Sequence, residues 1–374
     1  MKIRAAVLHE MGLPRPYGES RPLKIEEVDL DPPGDGEVLV KIHAAGLCHS
    51  DLSVIDGNRP RPMPMAIGHE AAGEVVEVGR GVHDVVPGDH VVFVFVPSCG
   101  HCRPCASGRP ALCEPAAAAN GAGTLISGAR RIKLKGKEIN HHLGVSAFAD
   151  YAVVSRYSFV KIEKDIPFDI AALFGCAVIT GVGAVVNTSQ IHPGSTVAVI
   201  GLGGVGLNAL LGARVAGARQ IVAIDTRDDK LDFARQLGAT DAFNAKDEDI
   251  VAKVKEATGG GVDYAFEMAG SAAALELAWN ITGRGGETVS AGLPHPSQRL
   301  SIPPVQLVAE ERTLRGSYLG SCVPVRDIPN FVQLYRAGQL PVDRLMTEKI
   351  RLEEINEAFE RLAEGKSVRT VMVP

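Results

Sequence analysis

Aromatic side chains are scarce in this chain, and neither charge sign is in large excess. Phe, Tyr and Trp make up 5% of 374 residues, with a single Trp. Lys and Arg number 39 against 44 Asp and Glu, a formal net charge of -5. That balance argues against a general nucleic-acid binder, which needs a basic excess. No long apolar run opens the chain. Met1–Glu10 alternates as a strand does, so no secretory signal is expected there, and the expected location is cytoplasmic. Ile170–Val186 runs 17 residues without a charge, the lower edge of a membrane span. It contains Gly175, Gly181 and Gly183, and no second segment supports it. A buried helix of a soluble protein is expected instead. Repeats and low-complexity linkers are also missing. Charged residues at 22% and hydrophobics at 45% describe an ordinary globular chain, long enough for about two domains.

What is present falls into two textures. Residues 1–100 hold short β-branched runs at Ile3–Leu8, Lys24–Val28, Glu37–Ile42, Gly73–Val78 and Asp89–Val96. Pro and Gly clusters separate them, the pattern of an irregular antiparallel barrel. Residues 97–145 are rich in Cys, Gly and Ala with little periodicity, and are expected to be a long loop. From about residue 180, strand-like and helical stretches alternate. Thr196–Ile200, Val205–Ala216, Ile221–Ile224, Asp229–Leu237, Val262–Glu267, Ala272–Asn280 and Glu287–Ala291 follow in turn. Such alternation predicts a doubly wound parallel sheet, an α/β fold. An amphipathic helix is expected over Leu352–Ala363.

Three motifs carry chemistry. Gly201-Leu202-Gly203-Gly204-Val205-Gly206 follows an apolar strand and opens a helix, and Asp225 comes 19 residues later at the end of the next strand. Without that context the glycines are only a βα turn; with it they form a dinucleotide fingerprint. Gly201 makes the tight turn, Gly203 lets a pyrophosphate approach, and Gly206 lets helix pack on strand. Asp225 can accept bonds from ribose hydroxyls and would repel a 2′-phosphate. The second motif is Cys99-x2-Cys102-x2-Cys105-x7-Cys113, four thiols in 15 residues. An odd cysteine count of seven and no signal segment favour a metal over disulfides. Four thiolates can close a structural zinc site. An iron–sulfur cluster is disfavoured by the spacing, and two disulfides are the other reading. His101 inside the loop is read as a spectator. The third is dispersed: Cys48 in Gly46–Asp51, His69-Glu70 after Gly68, and Cys176 in the charge-free run. Together they make a Cys2His set with one position open, the catalytic zinc type.

With these motifs in place the sequence resembles the zinc-dependent alcohol dehydrogenases of the medium-chain dehydrogenase/reductase superfamily, and most nearly their long-loop, liver-type members. The resemblance spans essentially the whole chain. It implies a GroES-like catalytic domain over residues 1–178 and 320–374, with the zinc loop at 97–113, around a Rossmann domain over residues 179–319. It implies that Cys48, His69 and Cys176 bind a catalytic zinc, and that Glu70 can serve as an alternative ligand. Asp51 would orient His69, and Ser50 would take the substrate proton. His49 and Arg369 would meet the cofactor pyrophosphate, Lys230 the adenosine and Thr180 the nicotinamide face. The implied cofactors are NAD and two zinc ions per chain. The metal would act as a Lewis acid on the alcohol, and hydride would pass to the nicotinamide. In many relatives a His three residues beyond the hydroxyl carries the proton to solvent; the matching residue here is Ser53. Pocket positions implied by the resemblance are Ser50, Phe95, Ala118, Leu143, Leu293 and Tyr318. They are mostly apolar, so bulky apolar alcohols are expected to be preferred.

The implied partners are a small alcohol, primary or secondary, or the matching aldehyde or ketone, with no nucleic acid and no membrane. A homodimer is implied, or a tetramer, paired through a strand at Leu314–Leu319. Two other readings stay in view. The glutathione-dependent formaldehyde dehydrogenase type uses an Arg shortly after the last structural-zinc cysteine, where this chain has Glu114, Pro115 and Ala116–Ala119. A non-catalytic relative that kept the fold would usually have lost catalytic-zinc ligands. Polyol and threonine dehydrogenases carry an acid where Cys176 stands.

Overall fold

The computed structural model describes residues 1–374. The chain divides into two compact units. One comprises Met1–Cys176, Val323–Val332 and Val342–Pro374; the other comprises Ala177–Cys322 and Gln333–Pro341.

The first unit is built on two sheets. One has six strands in the order Lys137–Glu138, Ile132–Leu134, Leu23–Leu30, Lys2–Leu8, Met65–Ala66 and Asn140–His141. The other runs Phe159–Ile162, His90–Phe93, Glu70–Val78, Glu37–Gly46, Arg369–Met372 and Met346–Ile350, with Tyr151–Ser155 also on Glu37–Gly46. Apolar residues on both faces hold the sheets together. In Lys2–Leu8, Ala6 and Leu8 enter one core cluster, while Ile3, Ala5 and Val7 enter another. Val38, Val40 and Ile42 divide from Leu39 in the same way. Period-two alternation buries both sides of these strands.

One pairing positions the chemistry. Glu37–Gly46 runs antiparallel to Glu70–Val78, and Gly46 sits opposite Glu70. The strand is longer than the sequence suggests, reaching Gly46 rather than Ile42 through register shifts at Leu39/Val40 and Ile42/Ala44. Cys48 therefore emerges beside His69 and Glu70. The approach needs glycine: a Cβ on Gly46 would lie 2.7 Å from Glu70 Oε1.

The second unit carries six parallel strands. Their order is Asp241–Asn244, Gln220–Asp225, Thr196–Ile200, Val262–Glu267, Thr282–Ser290 and Thr313–Gly316. Chain order reverses beside Thr196–Ile200, the switch point where doubly wound sheets bind ligands. Ala198, Ile200, Val222, Ile224 and Ala265 lie in one core cluster of this unit.

Several sequence expectations need correction. Residues 97–145 are not a loop throughout. They contain a helix at Glu114–Ala122 and strands at Ile132–Leu134, Lys137–Glu138 and Asn140–His141. Alanine is the best helix former, Pro115 suits a first turn, and Gly123 closes the helix with φ 68°. The expected helix over Ile170–Val186 is interrupted. Phe168–Ala171 continues as a tight turn to Gly175, Cys176 leaves helical geometry, and Ala177–Gly183 resumes it. Strand Asp241–Asn244 and helix Ile250–Thr258 went unannounced; the first is short, polar and half-exposed. The expected strand at Leu314–Leu319 is Thr313–Gly316, and Leu319 begins a separate turn. Asp89–Val96 contracts to His90–Phe93.

No single helix is long and apolar enough to cross a membrane. Phe168–Gly175 with Ala177–Ser189 passes as a bent pair by length and composition only, and most of its residues are buried.

Candidate metal and cofactor sites

Cys48 is the residue before helix His49–Ile55, and its backbone N–H donates to Asp51 Oδ2 at 3.2 Å. Asp51 is fully buried, and its other oxygen accepts from His69 Nδ1 at 2.8 Å. This bond leaves His69 Nε2 facing Cys176 Sγ at 3.5 Å. Cys48 Sγ is 4.0 Å from Cys176 Sγ. Cys176 reaches the group because Gly175 packs against the strand His90–Phe93; a Cβ there would lie 2.0 Å from the Phe93 carbonyl.

These distances suit zinc. Tetrahedral bonds of about 2.3 Å to sulfur and about 2.0 Å to imidazole separate two sulfurs by about 3.8 Å, and sulfur from nitrogen by about 3.5 Å. One donor atom each from Cys48, His69, Glu70 and Cys176 lies within 4.8 Å of all the others, and all four residues are buried. The Cys48 thiol is held well below its ordinary range, first by the hydrogen bond from Cys176 and then by His69. Cys176 is pushed up by the same bond and by burial. Two buried thiols converging on an imidazole are a donor set that a divalent cation would complete.

Glu70 lies behind the sulfurs. Burial pushes its carboxyl up to about 7, opposed by Arg369. Arg369 donates through Nη2 to Glu70 Oε2 at 3.3 Å and through Nη1 to the Leu47 carbonyl at 3.1 Å. It is only 4% exposed. The residue expected at the pyrophosphate thus has an acidic partner inside its own unit, which the sequence did not announce. His142 was also missed. Its Nδ1 is 3.1 Å from Asp51 Oδ1 without hydrogen-bond alignment, and its ring stands edge-on to His69 at 5.4 Å. The only signal was a His-His pair before Leu143.

Phe95 stands edge-on to His69 at 5.2 Å. Phe95 and Leu143 are buried, Ala118 is exposed on helix Glu114–Ala122, and Ser50 is half-buried on helix His49–Ile55. His49, the first residue of that helix, is exposed. Leu293 and Tyr318 belong to the second unit and are 52% and 40% exposed. Thr180 lies half-buried on helix Ala177–Gly183.

The second thiol cluster is contiguous. Cys99, Cys102, Cys105 and Cys113 bring their sulfurs within 4.8 Å of one another. Cys102 and Cys113 sulfurs are 4.0 Å apart, and the Cys102 N–H donates to Cys99 Sγ at 3.3 Å. Burial pushes the Cys105 thiol up to about 12. Against its own desolvation, Cys99 is brought down to about 6 by backbone N–H groups of Cys102 and His101. His101 is exposed, with Nδ1 on the Cys99 carbonyl at 2.8 Å, and stands outside the donor set.

In the second unit the glycine turn has the expected shape. Gly201 has φ 91°, and a Cβ on Gly206 would lie 1.8 Å from the Gly201 carbonyl. A Cβ on Gly203 would meet nothing within 4 Å, so the turn is open on that side. Gly203 caps helix Gly204–Val215, whose first residues Gly204 and Val205 are half-buried. Asp225 is 8% exposed and accepts from the Leu202 N–H at 2.7 Å and the Arg227 N–H at 3.2 Å. Lys230 is half-buried on helix Asp228–Leu237.

Comparison with known proteins places these features in one family. Residues 34–164 match the family described as alcohol dehydrogenase GroES-like domain, and residues 204–337 match zinc-binding dehydrogenase. The chain is 40% identical over 376 residues to S-(hydroxymethyl)glutathione dehydrogenase of Synechocystis sp., covering 100% of both. It matches the crystal structure of benzyl alcohol dehydrogenase from Acinetobacter calcoaceticus with TM-score 0.93 and 34% identity, covering 100% of this chain and 99% of that one. A zinc-binding dehydrogenase from Sinorhizobium meliloti 1021 bound to NADP matches with TM-score 0.81 and 26% identity, covering 100% of both. The fold is a GroES-like barrel with a Rossmann-type parallel sheet, and zinc and a nicotinamide cofactor go with it. The chain belongs to the zinc-dependent alcohol dehydrogenases of the medium-chain dehydrogenase/reductase superfamily, and it is an oxidoreductase.

Proposed function

We propose that the chain interconverts primary alcohols and aldehydes with NAD, using one zinc at Cys48, His69 and Cys176 and a second at Cys99, Cys102, Cys105 and Cys113. The observation that carries this reading is the buried Cys48–His69–Cys176 cluster at zinc-like spacing, with Asp51 bonded to His69. Zinc supplies Lewis-acid chemistry there, bringing a hydroxyl's pKa toward neutrality. The nicotinamide cofactor supplies the hydride acceptor. Asp51 fixes the His69 tautomer so that Nε2 is the ligand atom. Ser50, two residues after Cys48 on helix His49–Ile55, receives the alcohol proton. Glu70, paired with Arg369, is an alternative donor to the metal. The Gly201–Gly206 turn and the helix N-terminus behind it hold the pyrophosphate, with His49 and Arg369 adding charge. Lys230 and Asp225 hold the adenosine, and Thr180 meets the nicotinamide.

Phe95 and Leu143 offer an apolar wall, and Ala118 is small, so longer or bulkier alcohols are favoured over ethanol. Each buried methylene is worth about 0.8 kcal/mol, or roughly fourfold. NADH production should climb from ethanol to hexanol and be high for benzyl alcohol. A flat or falling series would overturn the apolar pocket, and Ala118→Leu should flatten a rising one. S-(hydroxymethyl)glutathione belongs in the same screen because of the 40% identical relative. Against it, the alanines of helix Glu114–Ala122 offer no carboxylate partner. Seven free cysteines suit a reducing cytoplasm. The exposed edge strand Thr313–Gly316, with Leu314 and the nearby Val305 and Val308 exposed, supports a homodimer. A monomeric mass by light scattering would remove that assignment.

A further inference from the structure

Arg61 is a cation linked through Asn120 to the backbone of Phe95. It lies between helix His49–Ile55 and strand Met65–Ala66 and is half-buried. Most arginines in the first unit hold a carboxylate; Arg131, for example, has Glu37 at 2.7 Å. Arg61 has no such partner within 4.0 Å. Its one hydrogen bond runs from Nη1 to the Asn120 carbonyl at 3.5 Å, the long limit for such a bond. Its Nε is buried and donates to nothing.

Asn120 ties this guanidinium to the metal site. It is 7% exposed, and its Nδ2 donates to the Phe95 carbonyl at 2.8 Å. The Phe95 ring in turn packs on His69. Asn120 Oδ1 is buried without a donor, so a second polar atom here is also unsatisfied. Ala118 is two residues before Asn120 on the same helix. On the other side, the Arg61 charge reaches His142, adding to the burial that holds His142 below its ordinary range. A half-buried cation without a counter-charge is costly, and a guanidinium edge with free N–H groups matches a carboxylate bidentately.

We propose that Arg61 seats a carboxylate at the far end of the substrate, so that the preferred alcohols carry an acid group separated from the hydroxymethyl carbon by an apolar stretch. The proposal rests on the reading that the alcohol lies against Phe95 and Leu143. The plain alternative is that Arg61 only caps the C-terminal end of helix Glu114–Ala122, where cations are favourable. A cap would affect all substrates alike.

The test compares ω-hydroxy acids with the 1-alkanols of the same length, using the zinc- and NAD-loaded protein, Arg61→Met and Arg61→Lys. The ratio of kcat/KM for acid over alkanol should peak at one chain length in the unaltered protein. In Arg61→Met that ratio should fall about ten- to a hundredfold, the range of hydrogen bonds to a charged group. Arg61→Lys should recover part of it. A ratio unchanged by Arg61→Met overturns the proposal even if the rates themselves fall. Calorimetric titration with the hydroxy acids gives a readout that needs no turnover. Binding that Arg61→Met abolishes, with no alcohol oxidised, would sustain the anion seat while the alcohol dehydrogenase reading fails. Absence of binding together with an unchanged ratio would sink it. S-(hydroxymethyl)glutathione forms a separate arm. If its kcat/KM drops more than any hydroxy acid's, the carboxylate comes from the glutathione moiety rather than from a simple carboxylated alcohol.

Discussion

The two thiol clusters are built in opposite ways. Cys99–Cys113 gathers four sulfurs from one short stretch, on a segment of brief turns whose cysteines, Cys113 apart, are only half-buried. Cys48, His69 and Cys176 come from a helix start, a strand start and a helix break, and all are buried with charged groups behind them. The local cluster has no buried network to hold it, so on the proposed reading a metal there would supply the order. The assembled cluster is already held by Gly46, Gly175 and the Asp51 bond, so on the proposed reading a metal there would be free for chemistry. Structural zinc energy is folding energy, whereas a catalytic zinc keeps an open position.

The sharpest way to break this contrast is to remove one sulfur from each cluster. Cys176→Ala should cost turnover at least about a thousandfold, since Lewis-acid assistance is worth several kcal/mol. One of two zincs should be lost, with the melting temperature nearly kept. Cys102→Ala should also lose one zinc but lower the melting temperature. Metal analysis and calorimetry on both variants decide it. Unchanged stability and zinc content in Cys102→Ala would remove the structural role.

Asp51→Asn tests the support behind the assembled cluster. The carboxylate accepts from both Cys48 N–H and His69 Nδ1. Outer partners of this kind are worth about ten- to a hundredfold in metal affinity or activity. Zinc competition with a chelator should show the loss at the buried site and none at the four-cysteine loop. Equal weakening at both sites would mean that Asp51 acts through global stability instead.

The same contrast explains what was legible in the sequence. Contiguous motifs were readable from spacing alone: the four cysteines, and the Gly201–Gly206 turn whose open side the structure places at Gly203. The Cys48–His69–Cys176 set spans 107 residues between its last two members, so it was grouped by ligand chemistry and then by the family resemblance, not by spacing. Partners made by pairing of distant strands were not legible. Arg369 meets Glu70 because Val371 and Glu70 both lie opposite Gly46. His142 reaches Asp51 through a loop that no periodicity marks. Helix Glu114–Ala122 was missed for another reason: its alanine run was read as a lack of pattern, although alanine favours helix most.

The cofactor turn sits between these extremes, since its glycines are local while Asp225 comes from the next strand. Asp225 already accepts the Leu202 N–H, so its negative charge is fixed beside the turn. Against a 2′-phosphate that charge should cost on the order of a hundredfold in affinity. NAD should therefore be preferred over NADP, and Asp225→Gly should narrow the ratio while weakening both, because the turn loses a tie. Equal catalytic efficiency with both cofactors in the unaltered protein would falsify the role of Asp225.

The smallest expected effect concerns the most local part of the assembled site, helix His49–Ile55. Ser50 and Ser53 are three residues apart and share one face of that helix. Ser53 Oγ donates to the His49 carbonyl at 2.8 Å, so it is held as part of the helix rather than as a proton carrier. A serine hydroxyl does not titrate near neutrality, whereas a histidine with pKa of about 6.5 is matched to shuttling at neutral pH. On the proposed reading, a proton leaving Ser50 then exits through water or by another group such as His49. Alcohol oxidation should be slow at neutral pH and rise steeply toward alkaline pH, where hydroxide accepts the proton directly. Ser53→His should raise the neutral rate by up to about tenfold, less than the hundredfold usual for general acid–base help because water already carries part of the flux. The gain should shrink as pH rises, since hydroxide then takes the proton without help from the imidazole. The decisive measurement is the pH profile of both proteins with protiated and deuterated alcohol. An isotope effect showing that hydride transfer limits, together with no gain from Ser53→His at neutral pH, would show that the proton's route does not pass this face of the helix.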